Sequence, residues 1–319
     1  MMNFREPEEF KFPTRRPWLL LVVLLVVGSL VFVRYRHEHA AAPGVAAAPA
    51  APARGVTAPE RRTQAPGPAA PVPLAAAPEA SAQLARARAY ESQGALAAAR
   101  PLYLKALACP ASPAEKADIE TRLGRIDAEL VLTPSAMPEK VDYLVKDGDS
   151  VDKIAKNLGA SRRLIQRSNQ IKDVNRIRPG DVLRVLTGQF SVLVSKSQND
   201  MIVYMNDAFF KRYRVATGKF GRTPLGTFVV SDQIVEPTWW RPDGKEIPYG
   251  DKENILGTRW MALKATGDTP AVRGYGIHGT WDDASVGQPV SQGCVRMKNS
   301  DVEELFDIVP VGTPVVIVE

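Results

Sequence analysis

The 319-residue chain has only two cysteines, Cys109 and Cys294, and only three histidines. Two cysteines make no disulfide framework, and His37 and His39 sit together near the N-terminus, far in sequence from His278. No Cys, His and carboxylate spacing of the kind that holds zinc is present, so neither a metal nor a cofactor is expected. Aromatic residues are 7% of the chain, and the basic stretch 142–186, with ten Lys and Arg against six Asp, has Tyr143 as its one aromatic. Nucleic-acid binding interleaves positive charge with stacking rings, so that class is excluded. An apolar run of full membrane length is also missing. Trp18 to Val33 is about 16 residues, or about 24 Å as a helix, against a hydrocarbon core of ~30 Å.

Arg15 and Arg16 before that run, and Arg34 and Arg36 after it, can snorkel to the two interfaces, where Trp18 and Tyr35 also suit. The expectation is a cytoplasmic tail (1–17), a single transmembrane signal-anchor (18–34) and an exported body at the cell envelope, periplasmic or extracytoplasmic. Ala40-Ala41-Ala42 leaves a cleaved signal peptide open as the alternative. Residues 35–81 are, from His39 on, almost entirely Ala, Pro, Gly and Val, with neither aromatics nor a leucine-rich core. Such a linker is disordered and partly polyproline-like, and about 42 residues at ~3.1 Å reach at most ~130 Å.

Apolar residues then recur at helical spacing over 82–135: Leu84, Tyr90, Leu96, Ala99, Tyr103 and Leu107, then Ile119, Leu123, Ile126 and Leu130. Breaks fall at Gly94 and at Pro110 to Pro113. The first hairpin resembles a tetratricopeptide repeat. One repeat with one more helix is too few for a free-standing solenoid, so a spacer packed on its neighbour stands beside a peptide-binding array.

Tyr143-Leu144-Val145 leads into Gly148-Asp149-Ser150, a turn and N-cap, and two short helices follow around Ile154 to Leu158 and Leu164 to Asn169. Pro179-Gly180 turns into a last strand at Val182-Leu183. This βααβ pattern over 142–186 resembles a LysM domain, which implies binding to N-acetylglucosamine polymers such as peptidoglycan glycan strands.

From 188 to 319 short β-branched or alternating runs dominate, among them Phe190 to Ser195, Met201 to Met205, Gly226 to Val230 and Pro314 to Val318. A β-sandwich or partly closed barrel fits them, with one helix after Cys294 started by Ser300 as N-cap and Glu303 as its capping-box partner. Cys294 follows His278 by 16 positions and sits directly behind Gly293. A thiol is only a few per cent thiolate at neutral pH and needs a base, and glycine lets the following amides approach an oxyanion. This pattern points to acyl transfer, with Cys294 free and Cys109 a helix-packing residue. A lone buried cysteine is otherwise a small hydrophobe.

Four motifs in order, Val215-Ala216-Thr217-Gly218-Lys219, Thr223-Pro224-Leu225-Gly226-Thr227-Phe228, Gly276-Ile277-His278-Gly279-Thr280 and Ser291-Gln292-Gly293-Cys294-Val295-Arg296-Met297, resemble an L,D-transpeptidase catalytic domain of the YkuD type. The resemblance implies a cysteine enzyme that attacks the bond between the third-position diamino acid and D-alanine of a peptidoglycan stem. A thioester forms and passes to an amine, giving a 3→3 crosslink or an attached protein. By position, Cys294 is the nucleophile and His278 its base. The Gly293 and Cys294 amides form the oxyanion site, Arg296 lines the pocket, and Ser291 or the Gly279 carbonyl orients the imidazole. Many members have histidine where this chain has Gln292, which puts a second imidazole role in doubt. Formation of a thiolate beside imidazolium is the expected charge state. Trp239, Trp240 and Trp281 either border the cleft or pack as buried rings. Two other readings stay open: a carboxypeptidase or hydrolase that uses water, and a non-catalytic wall-binding tether.

Overall fold

The computed structural model describes residues 78–319, so the expected tail, signal-anchor and most of the linker lie outside the described residues. Among the described residues no helix is long and apolar enough to cross a membrane. In chain order the elements are α1 (Pro78–Ser92), α2 (Leu96–Ala108), α3 (Pro113–Leu132), β1 (Lys140–Leu144), α4 (Val151–Leu158), α5 (Arg162–Ser168) and β2 (Val182–Leu186). There follow β3 (Phe190–Ser195), β4 (Asp200–Met205), β5 (Ala208–Arg214), β6 (Thr217–Gly218), β7 (Gly226–Val235), β8 (Trp239–Trp240), β9 (Glu246–Ile247) and β10 (Arg259–Ala265). The chain ends with β11 (Gly276–His278), β12 (Pro289–Ser291), β13 (Val295–Arg296), α6 (Asn299–Ile308) and β14 (Pro314–Val318).

The three N-terminal helices form where the apolar spacing placed them. Ser112 starts α3 with a reciprocal capping box: its hydroxyl accepts the Glu115 N–H at 3.3 Å, and the Glu115 carboxylate accepts the Ser112 N–H at 3.0 Å. Pro113 follows at the first helical turn, where a missing N–H costs nothing. These helices have no core of their own. Ala99, Tyr103, Ile119, Leu123 and Ile126 belong to the same buried cluster as Phe190, Val203, Phe210 and Phe306. Charge reinforces the docking, because Arg212 on β5 meets Glu120 on α3 at 2.7 Å and also pairs with Asp200. The segment is thus packed into a core that it shares with the β domain.

The βααβ module has antiparallel β1 and β2 with Leu144 opposite Val182, and a small core of Val145, Val151, Ile154, Ile165 and Val185. Ser150 and Ser161 cap α4 and α5 by accepting backbone N–H groups three residues on, each at 3.2 Å. Leu164 on the other face of α5 enters the large cluster, and an Arg167–Asp307 ion pair ties α5 to α6.

The C-terminal domain is mainly β, as expected. Its eight-stranded sheet runs β13-β11-β10-β7-β14-β3-β4-β5, with parallel pairs at β14–β3 and β11–β13 and antiparallel pairs elsewhere. Strict alternation of burial along β3 buries Phe190, Val192 and Val194 and turns Ser191, Leu193 and Ser195 outward. The helix after Cys294 starts earlier than its sequence signal. Asn299 is already helical, Lys298 is the N-cap without a side-chain bond, and Ser300 lies inside the first turn.

Candidate active site

The site lies where β11 and β13 run parallel, with Ile277 opposite Val295 and His278 opposite Arg296. The register sets Arg296 beside His278 on one face of the sheet, and Cys294 stands in the bend directly before β13. On its other side His278 is opposite Trp260 of β10, and the two rings stack at 5.9 Å with 27° between their planes. Gly276 is required below them, because a Cβ there would fall 2.6 Å from the Trp260 ring and 2.7 Å from the Met261 carbonyl oxygen.

His278 is 2% exposed. Its Nδ1 lies 2.6 Å from the Gly279 carbonyl oxygen. A carbonyl only accepts, so Nδ1 carries the hydrogen and Nε2 is left as the proton acceptor. The Gly279 carbonyl, not Ser291, therefore orients the imidazole. Burial pushes the His278 pKa down to about 4; the Gly279 and Leu256 carbonyls oppose that shift, and the Arg296 charge adds to it. Burial likewise pushes the Cys294 thiol up, against the Gly276 amide and the Arg296 charge, which both favour thiolate. Both shifts favour the neutral thiol and the neutral imidazole over their charged forms. The thiolate–imidazolium pair expected from the sequence is disfavoured because both charged forms would be desolvated. The Cys294 Sγ donates to the Gly274 carbonyl at 3.6 Å, and no hydrogen bond joins thiol and imidazole among the described residues.

Ser291 shapes the cysteine loop. Its hydroxyl donates to the Cys294 carbonyl at 2.6 Å and accepts the Gly293 N–H at 3.1 Å. The Gly293 amide is thus engaged, whereas the Cys294 amide makes no hydrogen bond among the described residues. Gly293 has φ +142°, and a Cβ on it would fall 2.7 Å from the Tyr275 ring, so both backbone and space demand glycine. Gly218 of the first motif backs onto it, since a Cβ there would be 3.0 Å from the Gly293 Cα. Thr223 of the second motif accepts the Gly218 N–H at 2.7 Å, which links two motifs to the cysteine loop.

Arg296 is held by its backbone, which exchanges bonds of 2.7 and 2.9 Å with Ala216, and its Nη1 donates to Ser285 at 3.3 Å. Its Nε is buried without a hydrogen-bond partner among the described residues. Trp281 is 57% exposed and tilted against Tyr249 at 6.2 Å, and Trp240 is exposed as well, so neither is a buried packing ring. Gln292 is exposed. Sequence reasoning missed Phe220, which is 92% exposed at φ +53° beside Gly218 and Gly221. It also missed Tyr275, Trp260 and Asn299, whose roles depend on contacts distant in sequence. Both cysteines are free, and the Cys109 thiol donates to the Lys105 carbonyl at 3.4 Å. Among the described residues no three His, Cys, Asp or Glu side chains converge as a metal set would.

Comparison with known proteins places these features in a family setting. The L,D-transpeptidase catalytic domain family, YkuD, matches residues 189–317, and the LysM domain family matches residues 143–186. YqjB of Bacillus subtilis, which carries the L,D-transpeptidase name, is 40% identical over 135 residues, covering 42% of this chain and 74% of that protein. YkuD of Bacillus licheniformis, named in the same way, is 31% identical over 180 residues, covering 54% of this chain and 96% of that protein. A crystal structure of an L,D-transpeptidase from Mycobacterium tuberculosis aligns at 15% identity and a TM-score of 0.34, over 45% of this chain and 75% of that one.

Proposed function

We infer the reaction from the family first: the chain belongs to the L,D-transpeptidase family, with a LysM domain ahead of its catalytic domain. We propose that it is a cysteine acyltransferase of peptidoglycan, with Cys294 as nucleophile and His278 as general base. The observation that carries this reading is the Nδ1–H bond from His278 to the Gly279 carbonyl, which leaves Nε2 unprotonated, with Cys294 in the bend directly before the strand that pairs with the His278 strand.

With both groups neutral, proton transfer accompanies attack. The thiol proton passes to His278 Nε2 as sulfur bonds to the carbonyl carbon of the third-position diamino acid. The tetrahedral oxyanion meets the uncommitted Cys294 amide. The C–N bond to D-alanine then breaks, and the imidazolium returns the proton to the leaving amine. An acceptor amine attacks the thioester, gives its proton to His278 and expels the Cys294 sulfur, which regains it. The product is a 3→3 crosslink or an attached protein. Ser291, Gly293 and Gly279 hold the backbone of this machinery, Arg296 supplies its positive charge, and Trp281 contributes an exposed ring for substrate.

The domain assignment follows as part of the proposal: residues 82–135 as spacer, 142–186 as glycan-binding module and 188–319 as catalytic domain. An uncleaved 18–34 anchor with a cytoplasmic N-terminus would leave all three outside the cytoplasmic membrane. The full-length protein incubated with disaccharide-tetrapeptides, with Cys294→Ala as control, tests the reading by product mass. Crosslinked dimers with D-alanine release are expected. Tripeptide alone would make water the acceptor, and no turnover with no covalent carbapenem adduct would leave a wall-binding tether.

A further inference from the structure

Asn299 is the first residue of α6, yet its side chain serves a different part of the chain. Its Oδ1 accepts the Thr258 N–H at 3.1 Å, across the turn that leads into β10. Two glycines make room for that oxygen. A Cβ on either Gly257 or Gly279 would collide with it, and a Cβ on Gly257 would also fall 2.5 Å from the Gly279 carbonyl carbon and 2.6 Å from the Thr280 nitrogen. Gly257 has φ +64°, so its backbone favours glycine as well. The Gly257 turn, the Gly279–Thr280 peptide and the Asn299 oxygen thus occupy one tightly packed point.

That peptide is the one whose carbonyl takes the His278 Nδ1–H at 2.6 Å. Leu256, the residue before Gly257, contributes the other carbonyl that favours the protonated imidazole. The carbonyl that accepts from His278 is therefore attached to backbone that meets the Asn299 oxygen. A neutral imidazole has two tautomers, and the bond at one nitrogen decides which nitrogen is left to take a proton.

We propose that Asn299 is a positioning residue for the base: its amide oxygen fastens the Gly257–Thr258 turn against the Gly279 peptide and so fixes the His278 tautomer. The inference rests on the reading of His278 as base, but it has a readout of its own. Asn299 touches neither substrate nor the thiol in this role. A purely structural role at the start of α6 would lower the melting temperature and leave the tautomer unchanged.

The test is long-range ¹H–¹⁵N spectroscopy of the imidazoles in the ¹⁵N-labelled full chain, where only three histidines contribute and His278→Gln assigns the third. The native protein is expected to show Nδ1–H at His278. Asn299→Leu, similar in size but without the acceptor, is expected to mix the tautomers and slow acylation by about tenfold or more. Asn299→Asp, which keeps an oxygen at the same point, is expected to retain the native tautomer. Should Asn299→Leu not fold, Asn299→Ala carries the same expectation. An unchanged tautomer in a folded variant lacking the oxygen overturns the proposal, whatever its rate. Failure of the base reading registers separately, as undiminished acylation by His278→Gln.

Discussion

His278 and Arg296 stand opposite each other on parallel β11 and β13, and the Arg296 charge acts on both the base and the nucleophile. It opposes protonation of the imidazole and favours loss of the thiol proton. The two effects are complementary: Nε2 stays free to accept, and sulfur becomes a better proton donor.

Arg296→Gln should therefore raise the His278 pKa from about 4 and raise the Cys294 pKa too. For a base that must be unprotonated, a higher pKa moves the acid limb of the kcat/KM profile to higher pH. A pH–rate profile of acylation checks this sign, and a limb that moves to lower pH would contradict it.

Ser291→Ala removes both bonds that close the cysteine loop. Two ordinary hydrogen bonds contribute about 1–3 kcal/mol together. The fold should persist with a modest loss of melting temperature, while acylation falls by about 10- to 100-fold because the Cys294 amide and sulfur lose their fixed orientation. Parallel calorimetry and acylation rates separate the two effects.

Gly293→Ala meets two obstacles at once, the backbone at φ +142° and the Tyr275 ring. Strain of about 1–3 kcal/mol from the backbone alone is expected, with loss of acylation. Adding Tyr275→Ala should restore part of the stability by opening space, yet not the activity, since the φ requirement stays. Chemical denaturation of the single and double variants measures this.

Away from the site, Arg100 bridges buried Asp127 and half-buried Glu139, the latter at 2.8 Å. Arg100→Met leaves two carboxylates without their cation and should cost about 3–5 kcal/mol. Replacing all three by apolar residues should recover most of that loss. Because the helices share the core of the β domain, the penalty should appear in one cooperative unfolding transition, followed by circular dichroism.

What the sequence revealed follows from what is local. The alternation of Phe190 to Ser195 announced a half-buried strand, and the order of four short motifs announced the catalytic domain before any contact was known. The imidazole partner was left between Ser291 and the Gly279 carbonyl, because nothing in the residue order says which one lies beside the ring. The charge states depend on a feature that is not local either. A thiol next to an imidazole suggests an ion pair, and only the burial of both reverses that preference. For Trp240 and Trp281 the sequence leaves cleft border and buried packing both open, since exposure depends on neighbours that come from elsewhere in the chain. The role of the Asn299 side chain is not legible in the sequence, because its partner, Thr258, lies 41 residues earlier.

The account depends most on Cys294 carrying the acyl group. Intact-mass and peptide-mass analysis of the full-length protein, quenched in acid soon after mixing with a stem tetrapeptide, measures this directly. The prediction is a mass increase equal to the tripeptide acyl group on the peptide containing Cys294, sensitive to hydroxylamine and absent from Cys294→Ala. Turnover by Cys294→Ala, or an acyl group carried on another residue, would contradict it.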